Sequence, residues 1–426
     1  MIHERRRWLV GTLLALVVVE TVLLCWLGRQ GQEGFRRLVC LDDSTIYLEV
    51  ARALAVTGRL IPSTRPPGYP AFLATALAIA GPDVGLIVAI ALQLTLNLLF
   101  AFLVWRLIEN LTPEADPAAL SLATLVAGWA GLGMAFLVMS DFLAGLLFTL
   151  FVFGFLFART RLEFAGAGAA LMAATLTRPT FTLLPLLLPV LARLAGRVVR
   201  PAGAWAVAFF AACSLAATGL STALQYRVDG YAGPSPVVTE NLQRAVERAY
   251  SGEPGAAMAT REGFEAAITA RSGRPFRDLS RSEQERFARA LFRETVAARP
   301  GRVLGQAATA AVKYLLAPIE AVPALLARHL NAGDDYVATV RPFLAVLCMP
   351  LWLLALWPPA GGSRRLAWYA FTILLLGFTL AITALAPMQG ERIRFPILAL
   401  MMPIAVWNAR SLRTRLAWRR SAAPAG

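Results

Sequence analysis

Residues 84–107 read VGLIVAIALQLTLNLLFAFLVWRL, with one formal charge, Arg106, near the end of the run. A bilayer core of about 30 Å is crossed by about 20 mostly apolar helical residues, so this stretch is long enough to span one. No water reaches the backbone inside lipid, and a helix closes its hydrogen bonds within itself. Leu9–Leu27 and Trp368–Leu385 have the same character. Together these runs decide the fold class: an all-α, polytopic membrane protein. Composition agrees, because 58% of the 426 residues are hydrophobic and only 16% are charged. Soluble domains carry roughly 25% charged residues, so a soluble globular enzyme is excluded.

Outward from these runs, the arginines set the topology. Net charge is +15, and Lys313 is the only lysine. So basic a chain invites a nucleic-acid reading, but many of its arginines flank apolar segments, where they act as topological anchors. No nucleic-acid partner is expected. Arg5-Arg6-Arg7 put the N-terminus in the cytoplasm, and the run after them shows no small-x-small cleavage pattern, so it is read as an uncleaved span over about 8–28. Further spans are expected over about 84–108, 117–138, 142–158, two short ones within 164–196, then 202–222, 341–357, 367–387 and 395–409. That makes about ten, with both ends inside.

Three units follow from this plan. The first is a membrane core over 1–222 with an external loop at 29–83, in which Tyr69–Ala80 is too short to span and reads as re-entrant or interfacial. The second, 223–340, opens with the one long polar region, whose helical periodicity suggests a small external helical subdomain. Residues 303–325 read as an interfacial amphipathic helix, since a span there would turn Arg364-Arg365 outward. The third, 341–426, holds the last spans and a basic cytoplasmic tail.

On this topology Asp42, Asp43, Arg65, Asp141, Arg178, Glu391, Arg392 and Arg394 all fall on the external side. Charges beside apolar spans are expensive unless paired or functional. Two adjacent acids, Asp42 and Asp43, suit a general base or a hard-cation ligand, and equally a solvated loop or a helix cap. Three prolines in Arg65-Pro66-Pro67-Gly68-Tyr69-Pro70 make a rigid entry turn, where Arg65 is placed to meet a phosphate. Ser140-Asp141 opens a span, as a cap would. Arg178-Pro179 marks a tight outer turn, where an arginine also serves as a snorkelling anchor. Arg392 and Arg394 sit at an outer span end, against the positive-inside trend.

Other chemistries lack their patterns. Cys25, Cys40, Cys213 and Cys348 form no Cys-x-x-Cys pair, and His3 and His329 lie far apart. There is no Walker-type loop, no Gly-x-Gly-x-x-Gly and no Gly-x-Ser-x-Gly.

Asp43-Ser44-x-x-Tyr47, followed by Ala51, Leu54 and Gly58 and then Arg65-Pro66-Pro67-Gly68-Tyr69-Pro70, resembles the first external loop of GT-C membrane glycosyltransferases. The branch it is most similar to is the protein O-mannosyltransferase and lipid A aminoarabinose transferase group. Ser140-Asp141 is similar to an acidic position that opens a later span there, often Ser-Glu. Leu176-Thr177-Arg178-Pro179 and Glu391-Arg392-Ile393-Arg394-Phe395-Pro396 are similar to two further signatures. The last is usually closer to Arg-Tyr-Arg-Leu-Pro, so Arg392 and Arg394 match while Phe395 departs. The resemblance covers about 8–222 and 341–410; the polar region 223–302 matches nothing in it.

It implies a GT-C-like bundle and a sugar donor carried on a polyprenyl phosphate, with an acceptor lipid, glycan or protein. Asp43 would be the general base, assisted by Asp42. Arg178, Arg392, Arg394 and Arg65 would hold the donor phosphate. Asp43 and Asp141 would be the ligands of a divalent cation (Mg, Mn or Zn), if one is used. The implied setting is a cell inner membrane with the site facing the periplasm. The alternative is a flippase or transporter of lipid-linked sugars, whose arginines would bind the same phosphate.

Overall fold

The computed structural model describes residues 2–40, 42–199, 203–251, 257–316, 323, 327, 329–330, 339–385 and 390–421. The side chains of 2, 42–43, 83, 313–316, 341, 345, 347, 382–385, 390–394 and 416–421 are not described. Among the described residues all regular structure is helical, with no strand.

Sixteen α-helices are named in chain order: α1 (Ile2–Gly28), α2 (Gly31–Val39), α3 (Asp42–Thr57), α4 (Gly68–Leu111), α5 (Pro117–Ala135), α6 (Ser140–Phe157), α7 (Arg161–Thr177), α8 (Leu188–Val198), α9 (Ala204–Asp229), α10 (Val237–Tyr250), α11 (Arg261–Ser272), α12 (Arg281–Ala298), α13 (Pro300–Leu316), α14 (Arg341–Leu356), α15 (Ser363–Leu385) and α16 (Gly390–Ser421). A 3₁₀ segment, Pro179–Leu186, links α7 to α8.

Among the described residues six helices are long and apolar enough to cross a membrane: His3–Gly28, Val84–Leu111, Pro117–Ala135, Ser140–Phe157, Ala204–Asp229 and Phe395–Arg415. This is a membrane protein. All six coincide with spans read from the sequence. Two of the remaining expected spans take a different form. The helix α7 has 17 residues, and the pair Pro179–Leu186 with Leu188–Val198 is bent by 74°. Pro179 and Pro185 explain the irregular winding, since each removes a backbone donor and clashes with the preceding turn.

The short apolar segment at 69–80 is the first arm of α4. Gly81, at φ 79° and ψ 170°, breaks the helix there, and Pro82 opens the spanning arm. A positive φ is open to glycine at little cost, and proline is tolerated at the first position of a new helix. The interface of α1, α4 and α5 is close. A Cβ on Gly128 would meet Leu16 at 2.7 Å, as expected where small residues let membrane helices approach. Asn97 donates to Glu20 at 2.9 Å and to the Gly128 carbonyl at 3.0 Å, tying all three helices together.

Helices α10, α11 and α12 form a separate small core around Leu242, Val246, Phe264, Ile268 and Leu291. Their ends are written in the sequence. Ser280 and Glu283 cap α12 reciprocally, and Thr260 caps α11. Helix α13 covers the first part of the stretch read as interfacial at 303–325, and the rest of that stretch lies mostly outside the described residues.

Candidate functional site

The turn between α5 and α6 is where the site assembles. The Val138 amide donates to the Val39 carbonyl, and Ser44 Oγ donates to the Val138 carbonyl, both at 2.9 Å. These two bonds strap the turn to the end of α2 and the start of α3. The first turn of α3 carries Asp42 and Asp43, so its backbone lies beside the N-terminus of α6, which carries Ser140 and Asp141. The side chains of Asp42 and Asp43 lie outside the described residues.

A buried polar chain continues from there. Tyr47 Oη and Ser140 Oγ share a hydrogen bond of 3.0 Å. The Tyr47 ring meets Tyr69 edge to face at 5.0 Å between centroids. Tyr69 Oη donates to Gln93 Oε1 at 2.9 Å, and Gln93 Nε2 donates to the Ala135 carbonyl at 2.6 Å. Burial pushes the Tyr47 phenol up from its ordinary value. Arg65 and the Ser140 hydrogen bond oppose that shift, Asp141 adds to it, and Arg178 opposes it. Tyr47 is therefore a neutral phenol standing among Arg65, Asp141 and Arg178.

Those three charges come from distant parts of the chain. Arg178 Nη1 donates to Asp141 Oδ1 at 2.5 Å, with side chains 9% and 1% exposed. A buried pair of this kind stands only where close geometry offsets the desolvation of both ions. Arg178 is held by its backbone. Its amide still closes the last turn of α7 on Ala174, while its own φ of −141° and ψ of 128° are extended. Pro179 demands this, since the residue before a proline is driven out of the helical region. The Arg178-Pro179 spacing thus ends the helix and aims the guanidinium in one step.

Gly68 explains how the proline-rich loop reaches the same place. A Cβ there would lie 2.8 Å from the backbone of Leu176 and Thr177, so only glycine lets the loop lie against the end of α7. Arg65, nearly buried, reaches Glu240 of α10 at 3.7 Å. Ser235 Oγ donates to the Thr64 carbonyl at 2.8 Å. The small helical subdomain is thereby tied to the loop.

The start of α16 completes the cluster. Phe395 is buried, 5.0 Å from Phe100 and 6.1 Å from Phe142 between ring centroids, and its ring fills the space that a Cβ on Gly145 would need. Where the resembled signature has leucine, phenylalanine extends an aromatic stack that Gly145 makes room for. The Arg392 and Arg394 side chains lie outside the described residues, but the backbone that carries them enters the bundle one residue from Phe395, against the first turns of α6.

Five sequence stretches are therefore brought to one end of the bundle. The acid pair, Arg65, Asp141 and Arg178 were legible as candidates. Gln93 and Glu240 were not. Gln93 is a lone polar residue within an apolar span, which is a signal in itself. Glu20 and Asn97 carry the same signal. Glu240 lies on an amphipathic helix among other charges, and nothing distinguishes it there.

A hard cation prefers several carboxylate or carbonyl oxygens free to turn toward it. Among the described residues no three His, Cys, Asp or Glu side chains converge, and Asp141 already accepts from Arg178. The side chain of Asp43, the other acid expected to hold a cation, lies outside the described residues.

The chain matches no protein family and no curated protein.

Proposed function

We propose that this protein is a membrane glycosyltransferase of GT-C type, which moves a sugar from a polyprenyl-phosphate donor to an acceptor hydroxyl. The observation that supports it is the meeting of the α3 start, the Arg65–Pro70 loop, Ser140-Asp141, Arg178 and the Arg394-Phe395 arm at one end of the bundle. These are the stretches that carry the resemblance. Chance assembly of five scattered segments is a poorer account than a shared site.

In this proposal the bundle crosses the membrane about ten times with both ends in the cytoplasm. The bent pair, α7, α14 and α15 are counted as spans. The opposite end of the bundle is the arginine-rich one, with Arg5, Arg364, Arg365 and Arg410 around residues 110–116. Positive-inside bias makes that end cytoplasmic, so the site and the α10–α12 subdomain face the exterior, the periplasm if the membrane is an inner one.

Asp43 takes the proton from the acceptor hydroxyl as its oxygen attacks the anomeric carbon. The bond from that carbon to the lipid phosphate breaks, the electron pair leaves with the phosphate, and configuration inverts. Asp42 assists the base. Arg392, Arg394 and Arg178 stabilise the charge that develops on the departing phosphate, as charge-assisted donors do. The lipid tail stays in the bilayer throughout.

The test is transfer of label from a radiolabelled polyprenyl-phosphate sugar, in membranes with matched amounts of wild type and Asp43→Asn. Loss of a general base typically removes about 10²–10⁴-fold of rate. Label leaving the lipid in the wild type alone supports the transferase and identifies the acceptor class. Full transfer by Asp43→Asn removes the base assignment. Translocation of the lipid with no new glycosidic bond, across several sugars and acceptors, selects the transporter instead.

A further inference from the structure

A second groove lies at the same end of the bundle, on its flank. It has a volume of about 290 Å³ and is enclosed by α2, α3 and the kink of α4. Its lining is partly apolar, with Leu48, Leu77, Leu86 and Ile87, and includes Arg36 of α2 and Arg52 of α3. Glu33 also lines it, but its carboxylate is paired with Arg37.

Three observations bear on what the groove holds. The first is its depth. The α1 span ends at Gly28, a few residues before the groove residue Gln32, and the α4 span begins at Val84, just after the groove residue Pro82. Two spans end at the level of the groove, so it opens at the boundary between hydrocarbon and head groups.

The second is charge. Arg36 and Arg52 share the groove, and both guanidinia pull down the Cys40 thiol against the burial that raises it. Among the described residues neither has a carboxylate partner. Two like charges facing one small space repel, and an anion between them relieves that repulsion. The third is shape. Val84, one helical turn from Ile87 on α4, is half exposed and extends the apolar surface at the rim where the α4 span begins.

We propose that this groove binds an anionic phospholipid, with its phosphate between Arg36 and Arg52 and its glycerol and upper acyl chain along Leu86, Ile87 and Val84. The site is separate from the Asp141–Arg178 cluster and does not depend on the transferase proposal. An amphipathic groove at the membrane boundary with a cationic pair at its rim suits a lipid better than a soluble anion, which would gain nothing from the apolar lining.

The experiment uses the purified, delipidated full chain in detergent. It is titrated with short-chain phosphatidylglycerol and phosphatidylcholine, and bound lipid is counted by native mass spectrometry. Wild type should bind phosphatidylglycerol in preference to phosphatidylcholine. Each arginine near an anionic head group contributes about fivefold in affinity, so Arg36→Gln with Arg52→Gln should weaken phosphatidylglycerol by about 25-fold. Removing the same charge at the other end, with Arg6→Gln and Arg7→Gln, should change little. Ile87→Trp fills the groove without altering charge and should abolish the preference; it carries the test if the double variant does not fold. The site is overturned if the folded double variant, or Ile87→Trp, keeps wild-type affinity. It is equally overturned if Arg6→Gln with Arg7→Gln causes the same loss, which would show general charge attraction. Displacement of phosphatidylglycerol by millimolar inorganic phosphate would assign a soluble phosphate instead.

Discussion

Both ends of the bundle hold arginines that make contacts, and the two use them in opposite ways. At one end Arg178 is buried and meets a buried carboxylate, Asp141, across 37 residues of sequence. At the other, Arg5 and Arg410 donate to main-chain carbonyls of the loop between α4 and α5, Arg364 reaches the Asn110 carbonyl, and Arg365 pairs with Glu114. Arg364 and Arg410 are exposed, and Arg365 and Glu114 are each about one third exposed. Water screens the second set and does not reach the first. The difference separates a charge that the fold must satisfy internally from charges that fix orientation and close a loop. Only the first kind constrains its neighbours: the cap of α7, the glycine at 68 and the polar chain through Tyr47.

The sharpest way to break this contrast is to remove one partner of the buried pair. Asp141→Asn removes the buried carboxylate that Arg178 meets, and loss of one member of a buried pair costs about 3–5 kcal/mol. Thermal unfolding in detergent should show it as a large fall in Tm, and sugar transfer should be lost with it. Asp141→Asn combined with Arg178→Gln should cost clearly less than the two single changes added together, because the two side chains share one interaction that can be lost only once. Strict additivity would mean that the pair is not coupled.

Gly68→Ala tests how the loop reaches the pair. The new methyl would meet main-chain atoms of Leu176 and Thr177, which cannot rotate away. Overpacking of this kind costs about 1–3 kcal/mol. Since α7 ends on Arg178, activity should fall further than stability does. A variant with wild-type transfer and wild-type Tm would show that the loop and α7 are not in contact.

Tyr47→Phe is milder. It removes the hydroxyl that Ser140 shares and leaves the ring against Tyr69, at a cost of about 1 kcal/mol. The same change tests whether the polar chain matters to transfer or only to packing. An unchanged rate with a lowered Tm would assign it to packing.

How much of this was legible in the sequence follows from the same contrast. The six spans stand out because hydrophobicity is a local property, readable window by window. The helices of the polar region were legible from their periodicity, and the caps at Ser280 and Thr260 are local features too. The Arg65 loop, Asp141 and Arg178 could be marked as candidates because charges next to apolar runs are conspicuous. Their pairing could not be read, because it depends on how α6 and α7 pack. Gln93, Glu240 and Asn97 were missed for the related reason that their partners are on other helices. Regions 164–198 and 68–84 were hard to divide into spans because prolines and Gly81 interrupt helices without ending the apolar character on which span reading relies. At the opposite end the arginines stand out one by one in the sequence, but the loop that they close does not, because its partners come from distant helices.

That end supplies the smallest predicted effect. Glu114 pairs with Arg365, both about one third exposed, and its carbonyl accepts from Arg410. Glu114→Gln removes only the ion pair; the carbonyl contact remains, as do those of Arg5 to Pro113 and Ala115. A pair of such exposure is worth about 0–1 kcal/mol, and salt screens it. The fall in Tm should therefore be slight at low ionic strength and absent at high, with transfer unchanged at both. Asp141→Asn should show little salt dependence, since ions in solution do not reach a pair that is almost wholly buried. If the two variants responded alike to salt, the division between a buried, constraining charge and an exposed, anchoring one would fail at both ends together.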